Sequence, residues 1–321
     1  KCPPYLPVSF GFDTACKTYA NLVGNVAVDA LSAQKYYHLV RLMGRSASNI
    51  ALEVALLTQP NACLLGEEVA EEKQSLRDIT MELADMIEAR SKDGKDYGVI
   101  LLPEGLIEFI PEFNALISEI NDKLAQPELQ PTEEAILSVL SKENADCFRY
   151  LPAFIRAQLL LDRDPHGNVQ VAKIETEKLL AATVQSELET RRASGYKGNF
   201  SPQFHAFGYE GRAGLPTVFD AAYCYALGYT ASSLLVNGCT GLIASVKNLL
   251  APCKEWQCGG VPVTSLCVIE RRKGKDKPVI RKALVEMTGN MSQPFEFYKK
   301  IRNNLKICDM YRIPGPMQFD M

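Results

Sequence analysis

The stretch "RLMGRSASNIALE", residues 41–53, carries the decisive joint of the chain. An apolar run from Tyr36 to Met43 stops at Gly44, Arg45 follows, and a helix-like pattern begins at once. A strand that turns directly into a helix is the repeating joint of a parallel sheet. An arginine on that joint either sits in solvent or aims at an anion. The first amides of a helix are unpaired donors at the positive end of its dipole, which favours the second use.

The same alternation extends on both sides of this joint. Residues 13–33 read as a helix, with Asp13 and Thr14 at its start and apolar residues at Ala15, Tyr19, Leu22, Val23, Val26, Ala27 and Ala30. After the strand at 36–43, a helix from about 47 to 57 is closed by Pro60. "ACLLGEE" reads as a second, short strand, and 75–92 as a helix with Ile79, Leu83, Met86 and Ile87 on one face. "YGVILLPEG" is a third strand, ending on Pro103, Glu104 and Gly105. Strands alternating with helices imply an α/β fold, a largely parallel sheet flanked by helices on both faces.

After about residue 106 the pattern is helical, over 111–125, 131–142 and 171–193, with turn chemistry at Asp164-Pro165 and His166-Gly167-Asn168. Residues 106–200 therefore read as a mostly helical insertion between 1–105 and a return of the sheet pattern in 201–321. That return comprises "HAFGYEGRAG" at 205–214, a helix at about 219–236, "GLIASV" at 241–246 and "VPVTSLCVIE" at 261–270. The basic run "RRKGKDKPVIRK", 271–282, contains a glycine and a proline and reads as a solvated loop.

The 321 residues suffice for two domains, or for one large α/β unit with an insertion. Hydrophobic residues make up 47%, charged residues 23%, and the net charge is −3, so neither nucleic acid nor an anionic membrane is indicated as the main partner. No apolar run approaches the roughly 18 residues that span a bilayer. The start, "KCPPYLPVSFGFD", has no signal-peptide pattern and no initiator methionine, which reads as a piece of something longer. Ten cysteines are scattered singly, with Cys253 and Cys258 the closest pair, and His38, His166 and His205 lie far apart. That is the usage of reduced thiols in the cytoplasm, not of a disulfide framework or a zinc site.

Ligands of an open parallel sheet gather outside the carboxyl ends of its strands. Three such ends carry polar groups that packing does not require. Met43-Gly44-Arg45 combines close backbone approach with a planar fork of donors suited to phosphate oxygens. Glu104, between a proline and a glycine, is an acceptor for hydroxyls, or else a cap for the next helix. Tyr209-Glu210-Gly211-Arg212 places a phenol and an arginine among glycines. Together these are the parts for holding a phosphorylated sugar. No phosphate-binding G-x-x-x-x-G-K-[ST] loop and no dinucleotide G-x-G-x-x-G occurs. No acidic cluster for a catalytic metal appears either; Glu67 and Glu68 come nearest and read as the start of a helix or loop. An anion grip without a general base or a metal site is what the residues leave to be explained.

The motifs "GFDTACK", "KYYHLVRLMGR", "LLPEGL", "DPHGNVQVAKIETEKLL" and "FGYEGRAGLP" closely resemble the long-type pyrophosphate-dependent 6-phosphofructokinases, along essentially the whole chain and in order. "GYEGR" and "DPHGNVQVAKIETEK" are most similar to the catalytic, beta-like branch. The resemblance implies that Met43, Gly44 and Arg45 contact fructose 6-phosphate and that Glu104 accepts from its hydroxyls. Tyr209, Glu210, Gly211 and Arg212 fall on the segment that binds its phosphate. Lys35 and Tyr36 match residues that reach into a neighbouring subunit's site, which implies a homodimer or higher oligomer.

The family's magnesium and pyrophosphate ligands, and its aspartate base, lie in motifs not found here. The resemblance places them upstream of Lys1, so no catalytic residue is expected within these 321 residues. It therefore implies a chain that starts just after those motifs, lacking the amino-terminal donor-binding domain and inactive alone. The intact cytoplasmic enzyme of glycolysis is expected to transfer phosphoryl reversibly from pyrophosphate to the 1-hydroxyl of fructose 6-phosphate, giving fructose 1,6-bisphosphate, with Mg2+. A non-catalytic regulatory subunit of the family and a purely structural or interaction module are the competing readings.

Overall fold

The computed structural model describes residues 5–44, 47–125, 129–163, 168–272, 275–280, 283–289 and 292–313, without the side chains of 270–277. Helix α1 spans Phe12–Ala33, strand β1 Tyr37–Leu42, helix α2 Asn49–Thr58, strand β2 Ala62–Cys63, helix α3 Gly66–Glu72, helix α4 Leu76–Lys92 and strand β3 Gly98–Pro103. Six helices follow: α5 Leu106–Phe109, α6 Pro111–Leu124, α7 Glu133–Val139, α8 Lys142–Tyr150, α9 Ala153–Leu161 and α10 Thr176–Arg192. Then come β4 Pro202–Phe207, α11 Val218–Val236, β5 Leu242–Lys247, β6 Gln257–Pro262, β7 Cys267–Arg272, β8 Lys275–Ile280 and α12 Gln293–Ile307.

The chain divides into two compact units. One comprises residues 19–208 and 285–321, the other 1–18 and 209–284. The larger unit holds a parallel four-stranded sheet in the order β2-β3-β1-β4. Strand β3 is buried at every position and β1 at all but Arg41, because helices cover both faces, and for that reason these strands read as continuous apolar runs. One face packs Tyr37, Leu39, Ile100 and Leu102 into a core shared with Ile79, Leu83 and Ile87 of α4, Phe113 and Leu116 of α6, and Leu180 and Val184 of α10. The helical stretch after residue 106 is thus built onto the sheet through a common core. Helix α12 closes against α2, α4 and β2.

Local details depart from the sequence reading at identifiable points. The expected helix at 131–142 is α7, which ends early at Val139, and α8 begins at Lys142; Ser141 between them gives both its N–H and its hydroxyl to Glu119 (2.9 and 2.8 Å). The expected helix from 171 opens with a single 3-10 turn, and α10 proper starts at Thr176, where the Glu175 N–H is diverted to the Gln158 side chain (3.1 Å). Helices α9 and α12 were not singled out in the sequence.

In the smaller unit, Asp220 in the first turn of α11 accepts from the N–H of Gly11 (2.9 Å) and from the N–H and hydroxyl of Thr14 (2.8 and 2.6 Å). The "GFDT" motif is therefore the start of α1 held by a buried carboxylate. Strands β5 and β6 form an antiparallel pair, as do β7 and β8. They do not extend the parallel sheet. Within each pair the link is shorter than the dozen or more residues that a parallel return needs, so the two strands run antiparallel. The basic run is corrected by the same finding: much of 271–282 is hairpin, not loop, with Pro278 on a strand whose outer edge needs no donor.

Beneath β1 and β4 in the larger unit, His38 Nδ1 and His205 Nε2 lie 2.9 Å apart, and Asp29 Oδ2 is 3.7 Å from His38 Nε2. One ring must donate and the other accept, so the pair needs a neutral ring. Burial lowers the pKa of both; the neighbouring His205 lowers His38 further, against a smaller opposing pull from Asp29. A lowered folded pKa means that the unfolded chain binds protons more readily. Stability is therefore full above about pH 6.5, the unfolded value, and is lost as pH falls from there through the folded pKa. The urea midpoint is expected to drop from about pH 7.5 to about pH 5.5, and His205→Gln to shrink that drop. Equal drops in both proteins would contradict this.

Candidate functional site

The carboxyl ends of β1, β3 and β4 lie side by side, since Leu42 pairs with both Pro103 and Phe207. The ladder runs one step further on each side. Met43 N–H donates to Phe207 O (3.0 Å), and Glu104 N–H donates to Leu42 O (2.9 Å). This brings the Glu104 carboxylate over the turn that leaves β1, where Gly44 N–H donates to Glu104 Oε2 (3.1 Å). Residue 44 suits glycine because a Cβ would press on Ala47 O at 3.1 Å. Glu104 is only 9% exposed, so its carboxylate is held in one orientation by the surrounding chain. Among the described residues Gly44 N–H is the donor this carboxylate meets, a fraction of what a carboxylate can accept.

The other sequence candidates fall in three places. Arg45 lies outside the described residues, as does Lys1, ahead of which the catalytic base is expected. Tyr209, Glu210 and Gly211 form a single 3-10 turn just past β4, with Arg212 N–H donating to Tyr209 O (3.0 Å). Gly211 is buried, whereas Arg212 is exposed and Tyr209 is 78% exposed. These four belong to the smaller unit, whereas Met43, Gly44 and Glu104 belong to the larger. Lys35 and Tyr36 precede β1, the ammonium of Lys35 lying 5.2 Å from the Tyr36 ring centre. They sit at the amino end of that strand, about 26 Å from Gly44 for the eight residues from Tyr36 at roughly 3.3 Å per residue.

Two ionic arrangements near the site escaped the sequence reading. Arg41, inside the apolar run of β1, pairs with Glu177 (2.9 Å) and donates to Ala172 O (2.8 Å). Burial pushes the Glu177 carboxyl up, and the Arg41 charge opposes that. The "KIETEK" motif thus anchors the start of α10 to β1. Its signal was an arginine inside a strand that is otherwise largely apolar. The second involves Glu67 and Glu68 after β2. Glu68 pairs with Arg302 of α12 (2.6 Å), and Glu67 accepts from the backbone of Ser48 (3.0 Å). The clue was positional: Glu67 follows β2 much as Glu104 follows β3.

A family model described as phosphofructokinase matches residues 4–235. The pyrophosphate–fructose 6-phosphate 1-phosphotransferase subunit beta 2 of Arabidopsis thaliana is 54% identical over 315 residues, covering 98% of this chain and 55% of that protein. The pyrophosphate–fructose 6-phosphate 1-phosphotransferase of Treponema pallidum is 50% identical over 323 residues, covering 98% and 56%. The chain spans about half the length of the curated relatives it matches. A solved pyrophosphate-dependent phosphofructokinase from Marinobacter aquaeolei superposes with a TM-score of 0.50 at 14% identity, over 99% of this chain and 59% of that one, a likeness of fold. With most of its length matched by the family model and its parallel sheet shared with a solved member, this chain belongs to the phosphofructokinase family.

Proposed function

We propose that this chain carries the fructose 6-phosphate side of a pyrophosphate-dependent phosphofructokinase. The observation that carries the reading is the Gly44–Glu104 contact (3.1 Å) at adjacent carboxyl ends of parallel strands. It fixes a buried carboxylate beside a turn where a backbone can approach a ligand closely. The names and identities of the relatives support pyrophosphate as donor and fructose 6-phosphate as acceptor.

In this reading Glu104 accepts from sugar hydroxyls and orients the ring. Met43 and Gly44 shape the floor beside it. Arg45 and Arg212, with Tyr209, Glu210 and Gly211, take the sugar phosphate, an arginine fork being suited to its oxygens. Lys35 and Tyr36 serve the site of a second copy, in a homodimer or higher oligomer. Residues 1–105 and 201–321 form the sugar-binding region, with 106–200 inserted. In the transfer, oxygen 1 of the sugar bonds to a phosphorus of pyrophosphate, the bridging P–O bond breaks, and the hydroxyl proton passes to the aspartate base that the family resemblance implies. Fructose 1,6-bisphosphate and phosphate result, and the step reverses.

The family implies Mg2+. Among the described residues no group of three or more His, Cys, Asp or Glu side chains is placed to hold a metal. No described helix is long and apolar enough to cross a membrane. A cytoplasmic enzyme of glycolysis is the corresponding proposal.

The test is a calorimetric titration of this chain with fructose 6-phosphate after circular dichroism has established folding. Saturable heat that Arg212→Ala weakens supports the reading. A folded chain that gives no heat would overturn the assignment of a self-sufficient acceptor site to these residues.

A further inference from the structure

Glu67 stands next to the proposed sugar site and has no part in the reading above. It is 5% exposed, and its Oε1 accepts two backbone N–H groups, from Ser48 (3.0 Å) and from Val285 (2.9 Å). Ser48 is the N-cap of α2, yet its hydroxyl makes no cap bond to its own helix. That oxygen accepts instead from Gly66 N–H (2.9 Å), at the start of α3. The two helix starts thus satisfy each other's orphan amides, side chain to backbone in both directions. Residue 66 is glycine because a Cβ there would collide with the Phe109 ring packed on it. Glu67 Oε2 is buried with no hydrogen-bond partner among the described residues, so the carboxylate bears a desolvation cost that packing alone does not require.

Two glutamates therefore take backbone N–H groups on either side of residues 45–46, one just after β3 and one in the first turn of α3. Glu104 takes the N–H of Gly44, and Glu67 takes that of Ser48. The Val285 bond ties the same carboxylate to the segment leading into α12. We propose that Glu67 is a positioning residue for the sugar-phosphate site, setting where the chain that leaves Gly44 enters α2. This rests on the sugar-binding reading. Removing the carboxylate leaves two buried N–H groups without an acceptor, and the connection relaxes to find water. A glutamine keeps one oxygen able to accept both bonds, whereas an aspartate falls one methylene short.

Glu67→Ala is expected to weaken fructose 6-phosphate binding to the 321-residue chain by about tenfold, the scale of a small misplacement of binding groups. Glu67→Gln is expected to recover most of that loss, and amide hydrogen exchange over 47–50 and 283–287 to speed up in Glu67→Ala. If Glu67→Ala does not fold, Glu67→Asp carries the same expectation. Arg191→Ala removes a cluster with Asp85, Glu88 and Glu187 elsewhere in the unit, and serves as the control for general destabilisation. It should leave affinity unchanged at a temperature where the chain is folded. Unchanged affinity in a folded Glu67→Ala, no recovery in Glu67→Gln, or an equal loss in Arg191→Ala would each overturn the inference. A wild-type chain that binds no fructose 6-phosphate overturns the sugar reading instead. The clamp is then decided by exchange alone: faster exchange over 47–50 in Glu67→Ala supports it, and unchanged exchange overturns it.

Discussion

Arg90→Ala is expected to lower the unfolding free energy by about 3–5 kcal/mol, the cost of breaking a buried ion pair by removing one partner. Arg90 on α4 is 0% exposed. Its Nε and Nη2 donate to Tyr97 O (3.1 and 2.8 Å), Nη1 donates to Lys306 O and Ile307 O (3.3 and 3.2 Å), and Nη2 also reaches Asp309 Oδ1 (2.6 Å). Asp309 Oδ2 is shared by Lys95 (2.9 Å) and the Tyr97 hydroxyl (3.1 Å). One guanidinium thus fastens the end of α12 and the segment after it to the amino end of β3. An alanine takes this donor from Tyr97 O and Lys306 O, while Lys95 still reaches Ile307 O and Asp309 Oδ2. Burial alone would raise the Asp309 carboxyl, but hydrogen bonds from Arg90 and Lys95 outweigh it and hold it below the usual range. Its stabilising contribution is therefore present above about pH 3.9, the unfolded value, and is lost as pH falls through the folded one. Urea unfolding measures the loss directly. A change below about 1 kcal/mol would show that the cluster contributes no more than a surface pair.

Glu104→Ala is expected to weaken fructose 6-phosphate binding by about 2–3 kcal/mol, roughly 30- to 150-fold, the range for charge-assisted hydrogen bonds. The carboxylate is pinned by Gly44 N–H before any ligand arrives, so little ordering cost offsets the bonds it makes. Glu104→Gln keeps an acceptor for Gly44 but loses the charge, and an intermediate loss is expected. Melting temperatures should change far less than affinities. Lower melting temperatures with normal affinity would make Glu104 a structural residue only.

These two variants divide what the chain's local pattern reveals from what it hides. The joint at Gly44 and the acceptor at Glu104 were legible because each interrupts a strand's apolar run, and parallel-sheet geometry says where such interruptions gather. Glu67 obeys the same logic at the end of β2, but that strand is two residues long and gives little pattern to interrupt. Helix α12 was harder still. Its buried residues Phe295, Tyr298 and Leu305 are spaced among lysines, arginines and asparagines, and they become core only because α2, α4 and β2 cover them. The basic run after Cys267 reads as a loop by composition, yet a two-strand ladder forms wherever the backbone can pair, whatever charges it carries.

Periodicity, caps and breakers act within about one or two dozen residues, so the sequence by itself determined the alternation of β1, α2, α4 and β3 and the parallel sheet. The bonds from Arg90 to Asp309, from Glu67 to Val285 and from Asp220 to Thr14 join segments some two hundred residues apart. No local pattern encodes such a partner. Each exists because the folded chain buries a charge or an amide that must find its complement in space, and only the tertiary structure decides which one it finds.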